Sequence, residues 1–113
     1  MSSEPVRSIS GTVRYLEKIA LPANSILQVT LLDVSVQDTI SKLLAGAIYH
    51  HVDTAGLDFT LEFRPADVLP GHRYAISAHI KHNDQLLFVT TEQHQVELDV
   101  DYVKGQDVVV SRV

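Results

Sequence analysis

Alternation of apolar and polar residues is the feature that most constrains how this chain can fold, and it is clearest between residues 73 and 91. Apolar side chains occupy every second position in the first half of this segment: Tyr74, Ile76, Ala78 and Ile80. A period of two places such side chains on one face of a β-strand. Asn83 and Asp84 follow, two residue types that tolerate the positive φ angles of a tight turn, and a second apolar run covers residues 86–89. The segment therefore predicts a β-hairpin of two largely buried strands.

The same alternation recurs along the rest of the chain. It covers residues 6–15, 26–33, 57–64, 96–102 and 108–110. Turn-forming pairs lie between these segments, among them Pro70-Gly71 and Lys104-Gly105. Short strands with turn signals roughly every 8–12 residues are typical of two packed β-sheets. We predict an all-β fold, a single-domain antiparallel β-sandwich of about seven to eight strands over residues 6–113, after a flexible lead-in at residues 1–5.

The segment from residue 38 to residue 51 fits two interpretations. One is a helix face formed by Ile40, Leu43, Leu44, Ala47 and Ile48. The other is a strand face formed by Leu43, Ala45, Ala47 and Tyr49. Gly46 inside a helix would cost about 1 kcal/mol relative to Ala. We favour a strand from about residue 44 to residue 51, with room for a short helical turn before it.

Composition excludes several classes of function. The chain has 113 residues, enough for one domain with its own core. Its formal net charge is −5 and its Lys and Arg residues are scattered, which disfavours a nucleic-acid partner because phosphate binding needs clustered cations. The lack of cysteine excludes disulfides, thiolate metal sites and a cysteine nucleophile. No apolar run approaches the roughly 18 residues of a membrane-spanning helix.

Six histidines raise the question of a metal site. His50 and His51 are adjacent, so they would point to opposite faces of a strand, and His79 and His82 would also diverge. Neither spacing is a ligand motif. We therefore predict surface histidines, with no metal and no cofactor.

Ser35 and Asp38 lie where a predicted strand ends. Side-chain oxygens at such places commonly bond to backbone N–H groups, so we predict that both residues stabilise a turn. No G-x-S-x-G elbow marks a nucleophile. The sequence thus predicts neither a catalytic residue nor an enzyme activity.

Several motifs occur in the order and spacing of a known family. They are G-x-V at residues 11–13, Leu-Pro at 21–22, L-L-D-V-S at 31–35, P-A-D-V at 65–68, Y-A-I-S-A-H-I at 74–80 and N-D-Q-L-L-F-V-T at 83–90. The similarity that they indicate extends over about residues 9–113, nearly all of the chain. Over this length the chain resembles the YbaY/YscW family of small bacterial lipoproteins.

The resemblance implies an exported β-sandwich that works in the periplasm or at the outer membrane, held there by a lipid anchor. One branch of the family acts as a pilotin, a chaperone that carries secretin subunits of type III secretion systems to the outer membrane. The implied function is that of a non-enzymatic envelope accessory protein that binds another protein, with a secretin C-terminal segment as the candidate. The sequence contains no lipobox cysteine and its first residues lack the regions of a secretory signal. A cytoplasmic location therefore stays open, and membrane contact is expected only through an anchor that this sequence does not contain.

Apolar residues on the outward side of the predicted strands are the candidate partner-binding site. An exposed apolar strip on a sheet can accept an extended or helical segment of another protein. We predict this site at Ile26, Leu32, Ile48, Leu86 and Phe88. The alternative function is a periplasmic domain that binds a small molecule or a polysaccharide, which would need a concave site with exposed aromatic rings.

Overall fold

Eight β-strands and one short 3-10 helix make up the described part of the chain. The computed structural model describes residues 6–17, 19–35, 42–52, 57–98 and 103–113. The strands are β1 Arg7–Tyr15, β2 Ser25–Asp33, β3 Lys42–Val52, β4 Asp58–Phe63, β5 Tyr74–His82, β6 Gln85–Val89, β7 His94–Val96 and β8 Val103–Arg112. The 3-10 helix, Pro65–Asp67, follows β4, where Pro65 has no N–H to donate to a sheet. Within the described ranges, no helix has the length and apolar character needed to cross a membrane.

The strands form one curled sheet with the order β3-β2-β5-β6-β8-β1-β4, and β7 pairs with the start of β5. β3, β2, β5 and β6 form one layer of a barrel-like sandwich, and β8, β1 and β4 form the other. The predicted all-β sandwich is confirmed. All pairs are antiparallel except β1 with β8, which are parallel. β1 and β8 come from opposite ends of the chain, so no hairpin sets their relative direction.

The core lies between the two layers and is built from the inward side chains that the alternation predicts. β4 is the clearest case, since buried and exposed residues alternate along its whole length. The innermost large side chains are Ile9, Val13, Leu27, Val29, Leu31, Leu61, Ile76, Ile80, Phe88, Val108 and Val110. Burial of this apolar surface is the main favourable contribution to folding.

The predicted hairpin joins β5 to β6. Asn83 and Asp84 have φ angles of 50° and 63°, and the flanking residues His82 and Gln85 pair across the turn. Two successive positive φ angles are those of a type I′ turn, whose twist matches that of the strands. The turn prediction is confirmed.

The hydroxyl of Tyr49 closes the gap between the two edge strands, β3 and β4. It donates a hydrogen bond to the carbonyl oxygen of Thr60 at 3.2 Å and accepts one from the Thr60 N–H at 3.0 Å. A single side chain thereby satisfies two backbone groups of an edge strand. Unpaired groups at such an edge are a template for association with other strands.

Replacing Tyr49 by Phe is expected to open this contact. The loss should cost about 1 kcal/mol of unfolding free energy, because both Thr60 groups then depend on water. Hydrogen exchange of the Thr60 amide, followed by NMR, should become faster. Tyr15→Phe is the matched control, since it removes a hydroxyl that donates to the Ile19 carbonyl instead. Unchanged Thr60 exchange in Tyr49→Phe would show that the hydroxyl does not seal this edge.

The ambiguous segment is a strand. β3 spans Lys42–Val52, so it begins two residues before the predicted start, and it pairs with β2 along its length. Gly46 lies opposite Thr30 within this pairing. The short helical turn considered before residue 44 falls largely on residues 36–41, which lie outside the described residues.

Two predictions near the C-terminus differ from the structure. Of the strand predicted over residues 96–102, Val96 lies at the end of β7, and residues 97–98 lie in no strand, although Leu98 is buried. Residues 99–102 lie outside the described part. Gly105 is not in a turn but inside β8, with a φ of 72°. The β1–β8 register shifts at this point, between Ile9 and Gly11. The positive φ of this glycine therefore serves a β-bulge.

Candidate functional site

The outward face of β3, β2, β5 and β6 brings together three of the five predicted binding residues. Ile26 on β2 pairs with Lys81 on β5, which pairs with Leu86 on β6. Directly paired residues of antiparallel strands lie on the same face. Ile26, Lys81 and Leu86 therefore form one row across the sheet.

A second row lies one step along the strands. Ile48 on β3 pairs with Gln28, Gln28 pairs with His79, and His79 pairs with Val89. We call the seven residues of the two rows the outer patch: Ile26, Gln28, Ile48, His79, Lys81, Leu86 and Val89. It extends over four strands, a width of about 14 Å.

Apolar side chains of the outer patch are open to solvent. The exposed fraction is 56 % for Ile48 and 37 % for Leu86, and Ile26 and Val89 are half-buried. Exposed apolar groups gathered in one place are typical of a surface that a partner covers.

Phe88 does not belong to this surface, which corrects the prediction for that residue. It is 2 % exposed, it pairs with buried Ile80, and its ring stacks on that of Tyr15 with centroids 4.6 Å apart. The β5–β6 register shifts between Ile80 and Lys81, so that Leu86 faces outward and Phe88 inward. Because all of residues 86–89 are apolar, their pattern could not indicate which side chains face the core.

Leu32 also lies apart from the outer patch. It is half-buried at the opposite end of β2, six residues or about 20 Å from Ile26. Its partners across the sheet are Leu43 on β3 and Ala75 on β5. The five predicted residues therefore divide into a cluster of three, one distant surface residue and one core residue.

Positive charge marks the outer patch. Lys81 is exposed, and it forms no ion pair in the part of the chain that the structure describes. Burial of the imidazole, with the nearby charge of Lys81, lowers the pKa of His79 below its ordinary value of 6.5. None of the seven residues is acidic. Four of the seven residues are thus apolar, and Lys81 is the one fixed cation of the patch.

A second group of polar residues joins the end of β2 to the loop before β5. The Nδ1 atom of His72 lies 2.6 Å from a carboxylate oxygen of Asp33. The other carboxylate oxygen accepts the backbone N–H of Ser35 at 3.0 Å, and the Ser35 hydroxyl accepts the N–H of Arg73 at 2.6 Å. The bond from a backbone N–H to the Ser35 side chain that we predicted is present, but it comes from Arg73 in the other loop and not from within the turn. Asp38, predicted for the same role, lies outside the described residues.

This group contains an aspartate, a histidine and a serine, but its bonds are those of a structural brace. The hydroxyl of Ser35 is engaged with the backbone of Arg73 on both its acceptor and its donor side, at 2.6 and 3.5 Å. A nucleophile would instead share its proton with the imidazole. The geometry supports a link between two loops.

The hydrogen-bonded group of Asp33, His72 and Ser35 should make the stability of the protein depend on pH. Burial alone would raise the pKa of Asp33, but the bonds from His72 and Ser35 and the charge of His72 outweigh it, so the pKa lies below 3.8. A carboxyl whose pKa is lowered by folding contributes stability above its unfolded pKa and loses it as the pH falls through the folded value. Asp33→Asn should therefore cost about 1–2 kcal/mol at pH 6 and much less near pH 2.5.

Urea unfolding at the two pH values measures this difference. Asp84→Asn, an exposed change in the hairpin turn, is the control and should alter stability at pH 6 by less than about 0.5 kcal/mol. An equal cost of Asp33→Asn at both pH values would contradict the assignment of the stabilisation to the carboxylate.

The histidines do not gather into a metal site in the described part of the chain, where no three His, Asp or Glu side chains cluster. The rings of His50 and His51 are tilted, with centroids 6.4 Å apart. His51 has a φ of 57° at the shifted end of the β2–β3 register, and its Nδ1 bonds to the side-chain oxygen of Asn24 at 2.8 Å.

Comparison with known proteins gives this fold a family. The model of the YscW family, described as a type III secretion system lipoprotein chaperone, matches residues 4–109. The chain belongs to the YscW family. The predicted resemblance is thus confirmed over nearly the whole sequence.

Two relatives show how close the similarity is. The chain is 44 % identical over 84 residues to the uncharacterized lipoprotein YbaY of Escherichia coli (strain K12), a match that covers 74 % of this chain and 44 % of that protein. The chain thus spans less than half the length of this lipoprotein. Its structure is also similar to that of an alternative pilotin from the type II secretion system of Vibrio cholerae, with a TM-score of 0.87 and 31 % identity over 96 % of this chain and 98 % of the other.

Proposed function

We propose that this chain is a non-enzymatic accessory protein of the bacterial envelope that binds the C-terminal segment of an outer-membrane secretin. The observation that carries the proposal is the similarity to the Vibrio cholerae pilotin, which extends over 96 % of this chain at 31 % identity. Family membership supports the chaperone role, and the lipoprotein relatives support a place at the periplasmic side of the outer membrane.

The outer patch is the docking surface in this proposal. Its exposed isoleucine and leucine offer apolar contacts, and its width of about 14 Å suits a helix, whose diameter with side chains is about 10–12 Å. A sheet face with exposed apolar side chains can accept the apolar side of an amphipathic segment.

A titration followed by NMR tests the proposal. Adding a peptide of the secretin C-terminus to the ¹⁵N-labelled domain should shift the amide signals of Gln28, Ile48 and Lys81. Ile48→Asp should weaken binding at least about tenfold, since a carboxylate would replace a desolvated apolar contact.

Leu43→Asp is the matched control. Leu43 lies on the same strand and is 58 % exposed, close to the 56 % of Ile48, but it pairs with Leu32 at the far end of the sheet. The control should bind like the unaltered protein. The absence of shifts at millimolar peptide would refute the secretin proposal, and equal losses in both variants would refute the outer patch as the docking surface.

The alternative function, binding of a small molecule or polysaccharide, has no observation in its favour within the described residues. There, every aromatic ring is buried or half-buried. The hydroxyls of Tyr15, Tyr49 and Tyr74 bond to backbone groups, at 2.6 Å for Tyr15 and 2.7 Å for Tyr74. Rings placed in this way stabilise the sandwich and offer no stacking platform to a sugar.

A further inference from the structure

The charge of the outer patch is opposite to that of the protein as a whole. The chain has 14 acidic and 9 basic residues, a formal net charge of −5. The outer patch nevertheless contains one lysine, one histidine and no carboxylate. A surface that departs from the average charge of its protein selects partners by the sign of their charge.

The position of Lys81 suits the recognition of a negatively charged group on a partner. It lies between two apolar contacts, pairing with Ile26 on one side and Leu86 on the other. Two other cations of the described region are neutralised locally, since Arg14 bonds to Asp107 at 2.8 Å and Arg64 to Asp67 at 3.4 Å. Lys81 has no such carboxylate there, so its charge is available to a partner.

We propose that the outer patch binds an amphipathic protein segment whose apolar side chains are flanked by Asp or Glu. The assignment of a protein segment rests on the proposed function, and the preference for acidic flanks rests on the charge of the patch. Apolar side chains of the segment cover Ile26, Ile48 and Leu86, and an acidic side chain pairs with the Lys81 ammonium. A segment with basic flanks would bring like charge to Lys81 and find no carboxylate within the patch.

Other anionic partners fit this surface less well. An anionic membrane or a nucleic acid attracts clusters of several Lys and Arg side chains. The outer patch has one lysine, and burial keeps His79 from adding a second charge near neutral pH. A single cation paired with two apolar neighbours, Ile26 and Leu86, matches one carboxylate on an otherwise apolar segment.

Two synthetic peptides of about 15 residues test the proposal. Both carry Leu and Ile at positions i, i+3, i+4 and i+7 to form one apolar face. The first has Glu at the flanking positions and the second has Lys at the same positions. Fluorescence anisotropy at low salt should show binding of the acidic peptide at least about fivefold tighter than that of the basic one.

Substitutions at Lys81 assign the preference to this residue. Lys81→Met should remove most of the preference, and Lys81→Glu should reverse it. Lys42→Glu, an exposed change on β3 at the far end of the sheet, is the control and should leave the preference unaltered. Ile48→Asp should weaken binding of both peptides.

The outcomes separate this proposal from the preceding one. If a secretin segment binds at the outer patch while the two model peptides bind equally, the acidic preference is overturned and the secretin function stands. If the acidic peptide is preferred through Lys81 but the secretin segment does not bind, the patch chemistry stands and the secretin function fails. Binding of phosphatidylglycerol vesicles that Lys81→Glu abolishes, with no binding of either peptide, would overturn the proposal in favour of a membrane surface.

Discussion

Replacing Phe88 by Ala is expected to lower the free energy of unfolding by about 3–5 kcal/mol, because it removes a large aromatic side chain from a closely packed interior. Phe88 is 2 % exposed and stacks on Tyr15. It also lies where β6 pairs with β8, opposite Arg112, so its loss affects the contact between the two layers. A domain of this size has a total stability of about 5–15 kcal/mol. The expected loss is therefore a large share of the total stability.

Urea unfolding followed by circular dichroism measures this loss. Leu86→Ala is the matched control, since Leu86 lies two residues away on the same strand and is 37 % exposed. We expect it to cost less than about 1 kcal/mol. Similar losses in the two variants would contradict the register of β6, which places Phe88 in the core and Leu86 on the surface.

Replacing Gly11 by Ala is expected to lower the free energy of unfolding by about 2–3 kcal/mol through steric overlap. Gly11 pairs with Gln106 where β1 and β8 run parallel. A β-carbon at residue 11 would lie 2.7 Å from the Gln106 β-carbon and still closer to its carbonyl oxygen. The carbonyl oxygen belongs to the backbone and the β-carbon is bonded directly to it. Neither atom can rotate away, so the two strands would have to separate.

Gly46→Ala provides the comparison for this effect. Gly46 is also in a strand, but the nearest atoms to an added β-carbon are 3.7 Å away, on Thr30 and Val29. Alanine there should leave stability unchanged or raise it by about 0.5 kcal/mol, because the unfolded chain loses conformational freedom. A small effect of Gly11→Ala, equal to that of Gly46→Ala, would be incompatible with the close approach of β1 to β8.

The candidate site was predictable in part. Ile26 and Ile48 follow from the outward parity of their strands, which is a property of each strand alone, whereas Leu86 lies in a run that is apolar on both faces. Phe88 did not follow, since a shift in the β5–β6 register decides its direction. The place of Lys81 between Ile26 and Leu86 also depends on pairing among three strands, so no local pattern could indicate it.

Contacts between residues distant in the sequence could not be predicted from the sequence either. His72 bonds to Asp33 from 39 residues away, and Tyr49 bonds to Thr60 from 11 residues away on a different strand. Gly105 looked like a turn residue because glycine commonly occupies positive φ, and it does so here within a bulge of β8. The residue type was informative about its backbone angle, but the surrounding pairing decided its structural role.

The amino-acid sequence by itself determined the class of fold, the hairpin at Asn83 and Asp84, the inward residues of β2, β4 and β5, and the family. Each of these depends on residues adjacent in the chain or on motifs in fixed order. The tertiary structure alone decided the parallel pairing of β1 with β8, the burial of Phe88, the seal at Tyr49 and the composition of the outer patch. These features arise when strands distant in the sequence meet, and the register in which they meet depends on pairing across the whole sheet rather than on any single segment.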